Sequence, residues 1–171
     1  SMQDKYPDVK LVCNWPNAYT GTNGKEELEK AGIDINRVIF VELFNNTYMA
    51  EIYQNTDIGI FPSRCEAGTN LVMMEYMACG KPAIATIKTG QSDLINSSNG
   101  LPLNSIGDYL LKDENGKTIS IWEEPDVDHL VSLLEWSYNN RSKIKKIGKE
   151  ASKTMSKKTW SHMAESVLGL I

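Results

Sequence analysis

One stretch of the chain, residues 57–86, fixes the order of the structural elements around it. It reads DIGIFPSRCEAGTNLVMMEYMACGKPAIAT, which is a short apolar run, a polar loop, a longer apolar run and a second short apolar run. This order predicts a strand, a loop, a helix and a strand. Gly80 stands where a helix C-terminal glycine belongs, and Pro82 follows where a helix can no longer continue. Open α/β sheets bind ligands at loops that leave a strand and open a helix.

Two carboxylates lie in this stretch, Glu66 in the loop and Glu75 inside the run LVMMEYMA. Because that run is otherwise apolar, it predicts a helix buried nearly all round. With a helix that starts near Thr69, Glu75 lies about 9 Å along the axis and leans back toward the N-terminus. That terminus favours a phosphate, because it presents free N–H groups and the positive end of the helix dipole. The pattern suits a nucleotide sugar, whose hydroxyl groups would meet an acceptor on either side of the diphosphate.

Ordinary structural roles are equally compatible with these residues. Thr69 or Asn70 serves as a simple helix cap in that interpretation, Glu66 is a loop acid, and Glu75 pairs with a lysine at a solvent-facing edge. Spacing alone leaves both interpretations open.

The same stretch resembles the donor-site signature of the retaining GT-B glycosyltransferases of the large bacterial sugar-transferase group. The residues that match its landmarks are Pro62, Ser63, Glu66, Gly68, Leu71, Glu75, Met77, Ala78, Gly80 and Pro82. One departure concerns the two glutamates. The family usually places seven residues between them, whereas Glu66 and Glu75 enclose eight, because the turn AGTN is one residue longer.

The resemblance implies a function and a set of site residues. The function is transfer of a sugar from a UDP-, GDP- or ADP-sugar donor, with retention at the anomeric carbon. Glu66 would be the catalytic-site acid on the donor sugar, and Glu75 would accept hydrogen bonds from the ribose. The remaining donor-binding candidates are Arg64, Gly68, Thr69, Asn70, Leu71, Gly90 and Gln91. No metal or other cofactor is expected, since the helix and basic side chains would neutralise the phosphates.

Strands alternate with helices along the rest of the chain, which predicts an α/β fold, a Rossmann-like parallel sheet flanked by helices. Strands are predicted at 9–15 and 37–42. Helices are predicted at 25–31, 126–138 and 141–155, with a C-terminal helix in 156–171, where Trp160 is expected to pack. Within 97–122, Asn115-Gly116 predicts the turn of a small added β-hairpin.

The resemblance also implies how this chain relates to a whole enzyme. Residues 1–171 would form a single nucleotide-sugar-binding domain, the C-terminal half of a GT-B fold truncated at its N-terminal edge. The first strand and helix, with an Arg and a Lys against the diphosphate, would precede Ser1. A missing N-terminal domain would bind the acceptor, a glycan or a lipid-linked sugar, so this chain alone is expected to be inactive.

The net charge of −4 argues against general nucleic-acid binding. Charge is uneven, since residues 141–158 carry eight basic residues and one acid. This run predicts a solvated helix face, with peripheral membrane contact of the full-length protein as the alternative. Three cysteines without metal spacing fit a reducing compartment. The expected location is the cytoplasm or the inner face of the membrane, in polysaccharide biosynthesis.

Three other functions are alternatives to the transferase. A nucleotide-sugar epimerase or phosphorylase of related fold shares a donor half, but EAGTN followed by LVMMEYMACG fits transferases better. A dinucleotide oxidoreductase would need G-x-G-x-x-G after a strand, and the sequence has none. A non-catalytic α/β binding module, such as a signalling receiver, would carry clustered acids at the end of its first strand, where this chain has Asn14-Trp15.

Overall fold

The computed structural model describes residues 2–13, 23–41 and 45–169. The chain divides into two compact units, Ser1–Ile52 and Tyr53–Ile171, and each contains a parallel sheet. The predicted end of the first strand, the end of the second strand and the last two residues of the C-terminal helix lie outside the described residues. The single-domain boundary of 1–171 stays a prediction.

The first unit is built on two parallel strands that begin later in the chain than predicted. Strand β1 pairs with β2, with Val12 opposite Ile39. Arg37 donates hydrogen bonds to backbone carbonyls of the N-terminal segment, those of Gln3, Tyr6 and Val9. The elements in order are α1 (Met2–Lys5), β1 (Leu11–Cys13), α2 (Gly24–Lys30), a 3-10 turn (Ile35–Arg37), β2 (Val38–Phe40) and a 3-10 turn (Asn46–Tyr48). Helix α3 (Met49–Gln54) runs across the division between the units.

The second unit has the predicted order of strand, loop, helix and strand. These elements are β3 (Gly59–Phe61), α4 (Leu71–Ala78) and β4 (Ala83–Thr86), and β5 (Leu101–Leu103) follows. The strands form a parallel sheet in the order β3-β4-β5. Gly80 follows α4 with φ 77°, a left-handed conformation that glycine adopts without strain. The predicted α/β fold with parallel strands and flanking helices is confirmed.

Strand β4 is buried along its whole length and has a hydrophobic cluster on each side. Ala83 and Ala85 belong to a cluster with α4 and α6 (Arg141–Met155). Ile84 points to the opposite face, because side chains alternate along a strand, and belongs to a cluster with α5 (Val127–Asn139). The buried partners of the two alanines are Met73, Met77, Leu94, Ile95, Ala151 and Met155. The hydrophobic residues clustered with Ile84 are Ile58, Leu101, Leu103, Leu130, Leu133, Leu134 and Ile147.

The predicted β-hairpin is present. Strands β6 (Ser105–Lys112) and β7 (Thr118–Pro125) pair in antiparallel fashion. Asp113 closes the turn, since its side chain accepts the N–H groups of Asn115 and Lys117, and Gly116 takes φ 80°. The predicted range of 97–122 also contains β5, so the hairpin itself begins and ends later than expected.

The C-terminal helices follow the predicted order. Helix α6 buries a stripe of Ile144, Gly148, Ala151 and Met155, and the basic residues of 141–158 are all exposed. Helix α7 (Trp160–Leu168) begins at the cap Thr159 and has no buried residue. The expectation that Trp160 packs is wrong for the described part of the chain, where its side chain is 81% exposed. No helix in the described ranges combines the length and apolar character needed to cross a membrane.

Gly148 marks the place where α6 meets the turn after α4. A Cβ on Gly148 would lie 2.2 Å from the carbonyl oxygen of Gly80 and 3.1 Å from the Pro82 ring. Although Ala normally stabilises a helix over Gly, we expect Gly148→Ala to lower the free energy of unfolding by about 1–3 kcal/mol, because the two backbones must separate. Urea unfolding measures this change.

The neighbouring exposed residue supplies the control for that substitution. Lys149→Ala should change the free energy of unfolding by less than about 0.5 kcal/mol. A Gly148→Ala variant as stable as the wild type would contradict the close contact between α6 and Gly80.

Candidate functional site

Two loops meet at the carboxyl ends of neighbouring parallel strands. Loop A (residues 62–70) follows β3, and loop B (residues 87–92) follows β4. The backbone N–H of Glu66 donates to Oγ1 of Thr89 at 2.8 Å, and the N–H of Gly90 donates to the carbonyl of Glu66 at 3.0 Å. A Cβ on Gly90 would lie 1.4 Å from the carbonyl oxygen of Gly68. The structure thus brings Glu66, Gly68 and Gly90 together, as three of the predicted site residues.

Helix α4 begins at Leu71, two residues later than the predicted start near Thr69. Asn70 is its N-cap, and Oδ1 of Asn70 accepts the N–H of Met73 at 3.0 Å. The first N–H groups of a helix have no partner within the helix, so those of Leu71 and Val72 are donors at this terminus. Gly68 and Thr69 are exposed just before it. The predicted anion-binding terminus therefore lies on the surface of the second unit.

Glu75 lies on the exposed face of α4. The prediction of a helix buried nearly all round is wrong, because only Met73, Tyr76 and Met77 are buried. Leu71 and Val72 are 58% and 54% exposed. The helix packs on the sheet with one face, and its other face is apolar without being covered in the described part of the chain. Leu71 and Glu75 share that face, since they are four residues apart.

Tyr53 is a neighbour of Glu75 that no sequence pattern indicates. Its hydroxyl donates to Oε2 of Glu75 at 3.4 Å. Tyr53 is buried, and its ring packs edge-to-face against Tyr76 at 5.4 Å between centroids. Burial, together with the charge of Glu75, raises the pKa of Tyr53 to about 12. The hydroxyl therefore stays protonated and remains a donor to Glu75 at neutral pH.

Gln91 lies beneath loop B rather than on its surface. Its side chain is fully buried, and Oγ1 of Thr86 lies 2.7 Å from Oε1 of Gln91 and 2.8 Å from the carbonyl of Ser63. Thr86 thereby links the underside of loop B to loop A. In this arrangement Gln91 supports the loop instead of presenting its side chain to solvent.

Arg64 is held by the hairpin. Its Nε lies 2.6 Å from Oε2 of Glu124 and its Nη2 lies 2.9 Å from Oε1, which makes a two-pronged ion pair. The guanidinium also stacks over the ring of Tyr109 at 4.2 Å. On loop B, Nζ of Lys88 lies 2.8 Å from Oε1 of Glu123. The hairpin residues Glu123, Glu124 and Tyr109 lie far in sequence from residues 62–86, so no local sequence pattern predicts these contacts.

The described residues contain no group of three or more His, Cys, Asp or Glu side chains that could hold a metal ion. The site consists of helix N–H groups, two carboxylates and hydroxyl groups. Such a set is suited to binding a phosphate next to polyhydroxyl groups.

Comparison with known proteins identifies the family. The family Glycosyl transferases group 1 matches residues 6–115, well over half of the chain. The chain belongs to this family. The resemblance noted for residues 62–86 is thereby confirmed at the level of the family.

One curated relative and two solved structures show what the chain is similar to, and the solved structures show its fold. Among curated proteins, the sulfoquinovosyl transferase SQD2 of Arabidopsis thaliana is 26% identical over 160 residues, which are 94% of this chain and 27% of SQD2. Among solved structures, the C-terminal domain of a group 1 glycosyl transferase of Francisella tularensis, LpcC, has a TM-score of 0.62 at 21% identity, over 90% of this chain and 72% of that domain. Anabaena HepE, solved with UDP-glucose, has a TM-score of 0.57 at 19% identity, over 77% of this chain and 30% of HepE. The fold is that of a C-terminal GT-B domain, and the chain spans about a quarter of the length of SQD2.

The two ion pairs predict how the hairpin responds to acid. Hydrogen bonds from Arg64 lower the pKa of Glu124, and hydrogen bonds from Lys88 and then Ser105 lower the pKa of Glu123, both below the ordinary 4.5. A depressed pKa means that each contact is fully present above 4.5 and is lost as the pH falls through the folded value. NMR titration of the carboxyl carbons should show both midpoints below 4.5.

A variant tests the cause of this depression. In Arg64→Gln the midpoint of Glu124 should rise toward 4.5 while that of Glu123 stays low. If the midpoint of Glu124 did not respond to Arg64→Gln, the two-pronged pair would not exist in solution.

Proposed function

We propose that this chain is the donor-binding domain of a nucleotide-sugar-dependent glycosyltransferase, with the diphosphate at the start of α4. One observation carries the proposal. The N-terminus of α4 is exposed and capped by Asn70, with Glu66 before it and Glu75 on the exposed face behind it. An anion site with a carboxylate on each side, able to accept hydrogen bonds from hydroxyl groups, matches a diphosphate that joins two polyhydroxyl groups.

The chemistry of the donor assigns a role to each part of the site. When the diphosphate leaves, negative charge builds up on its oxygens, and N–H groups between Gly68 and Leu71 stabilise that charge. Glu66 binds hydroxyl groups of the donor sugar, at a position fixed by Thr89 and Gly90. Stabilisation of a charge that develops in the transition state is usually the largest catalytic contribution.

Glu75 is the proposed acceptor for the ribose hydroxyls. Tyr53 donates to Oε2 of Glu75, and because Glu75 is exposed its carboxylate can accept further hydrogen bonds. Arg64 contributes little positive charge to the phosphates in this proposal, because Glu124 neutralises it. The helix terminus supplies the compensation, so the proposal requires no metal ion.

UDP-sugars are the first donors to test, and GDP- and ADP-sugars remain alternatives. A protein of the same fold, HepE, was solved with UDP-glucose. Retention at the anomeric carbon is part of the proposal on the basis of the donor-site signature. We further propose that a longer protein supplies the acceptor side at the cytoplasmic face of the membrane, and that the 171-residue chain alone binds nucleotide only weakly and does not transfer sugar.

Removing the charge of Glu75 tests the ribose contact. We expect Glu75→Gln to weaken binding of UDP by about 1–3 kcal/mol, because a hydrogen bond to a charged acceptor is lost. Isothermal titration calorimetry measures the affinity. Glu150→Gln is the matched control, since Glu150 is an exposed helical glutamate paired with Lys153 on α6, and this variant should leave the affinity unchanged. Unchanged affinity in Glu75→Gln would remove Glu75 from the site.

Asn70 allows a test in which stability and binding move in opposite directions. Asp caps a helix as well as Asn, and its charge is favourable beside the helix N-terminus, so Asn70→Asp should keep or raise stability. The same charge repels a diphosphate, so we expect binding of UDP to weaken by about tenfold or more. Thermal unfolding and calorimetry measure the two effects.

The control for this pair of effects is Asn70→Ser, which keeps a neutral cap. It should retain both stability and affinity. An Asn70→Asp variant that binds UDP as tightly as the wild type would place the diphosphate away from α4.

A further inference from the structure

We propose that the β6–β7 hairpin positions Glu66 through contacts with both loops of the site, with Glu124, Glu123 and Tyr109 as positioning residues. The consequence for donor binding rests on the proposed function. The mechanical link between the hairpin and Glu66 does not rest on it and can be tested separately.

The first set of contacts is with loop A. The Glu124 carboxylate of β7 accepts two hydrogen bonds from the Arg64 guanidinium. The ring of Tyr109 on β6 stacks on the same guanidinium, with 4.2 Å between Cζ of Arg64 and the ring centroid. In addition, the backbone N–H of Glu123 donates to the carbonyl of Arg64 at 3.2 Å. Arg64 is thus fixed through its side chain and its backbone, two residues before Glu66. Tyr109 is itself backed by Trp122, whose ring stacks on it at 6.3 Å between centroids.

The second set of contacts is with loop B. Oε1 of Glu123 holds Lys88, and Oε2 of Glu123 accepts a hydrogen bond from Ser105 at 2.5 Å, within the hairpin itself. Lys88 directly precedes Thr89, whose hydroxyl accepts the N–H of Glu66. The second ion pair therefore lies one residue from the contact that fixes Glu66.

The alternation of a strand explains how one hairpin reaches both loops. Neighbouring side chains of a strand point to opposite faces, so Glu123 and Glu124 extend to the two sides of β7. Each carboxylate meets a cation from a different loop. The base of the hairpin consequently joins loop A to loop B on a path independent of the Glu66–Thr89 hydrogen bond.

The charges and the burial suit a positioning role better than a stabilising one. Exposed ion pairs add little to the free energy of folding, and the Arg64 and Lys88 side chains are about half exposed. A two-pronged arginine–carboxylate pair does, however, restrict geometry, because both N–H groups must align with both oxygens. The expected effect of breaking it is a looser loop A with nearly unchanged overall stability.

Amide hydrogen exchange tests the mechanical link in the 171-residue chain without any ligand. We expect Glu124→Gln and Glu123→Gln each to speed exchange of the Glu66 and Gly90 amides by about 1.5- to fivefold, the range set by the strength of such pairs. Exchange at Met77, on the buried face of α4, should stay unchanged. Glu150→Gln, which breaks an exposed pair elsewhere, is the matched control and should alter none of these amides.

Two substitutions of Tyr109 separate the contribution of its aromatic ring from that of the glutamate charges. Tyr109→Phe keeps the face on which Arg64 stacks and should exchange like the wild type, whereas Tyr109→Leu removes it and should speed the Glu66 amide. This pair decides the question if a glutamate variant does not fold. Equal exchange at Glu66 in Tyr109→Leu, Glu124→Gln and the wild type would overturn the proposal.

Donor binding supplies the functional arm. In the same variants the affinity for UDP-glucose should fall more than that for UDP, because Glu66 is assigned to the sugar and not to the nucleotide. An equal fall for both ligands would show that the hairpin acts on the whole site and would contradict a specific role in placing Glu66. If the wild type bound neither ligand, the proposed function would fail, while the exchange results would still decide whether the hairpin holds the loops.

Discussion

The close contact of two backbones, at Gly68 and Gly90, is the constraint on which the site depends. No side chain fits at Gly90, because a Cβ there would overlap the carbonyl oxygen of Gly68. The contact lets the Glu66 amide reach Thr89 and the Gly90 amide reach Glu66, so the loops after β3 and β4 form one surface. Helix α4 starts from that surface with its capped N-terminus exposed. The parallel pairing of β3 with β4 brings the loops together, since parallel strands end at the same edge of a sheet.

Much of this arrangement could be predicted from the sequence, for physical reasons that are local. The apolar runs, Gly80 and Pro82 indicate the strand–helix–strand order, because they report on burial and on the backbone conformations that each residue allows. The turn at Asn115-Gly116 is equally local, and the hairpin around it is present. The landmarks in residues 62–86 resemble those of the family, and the independent match to residues 6–115 confirms the family.

The predictions that failed concern what lies beside an element rather than what the element is. The apolar sequence of α4 indicated burial on all sides. Leu71 and Val72 are nevertheless exposed, because the helix packs on the sheet with one face only. Trp160 was expected to pack, yet α7 has no cover in the described residues. Arg64 is a donor-binding candidate by resemblance, but its partner Glu124 is 60 residues away in sequence, and only the fold shows the ion pair. Tyr53 is likewise brought to Glu75 by packing against Tyr76. Contacts over such distances carry no periodic or spacing signal.

The central claim is that the N-terminus of α4 binds a diphosphate, and an NMR titration tests it most directly. UDP is added to the isotope-labelled 171-residue chain while the backbone amide shifts are followed. The account predicts that the largest saturable shifts occur at the amides from Gly68 to Val72, since their N–H groups would meet the phosphate oxygens. Saturable shifts centred elsewhere, with the amides of Leu71 and Val72 unmoved, would contradict it.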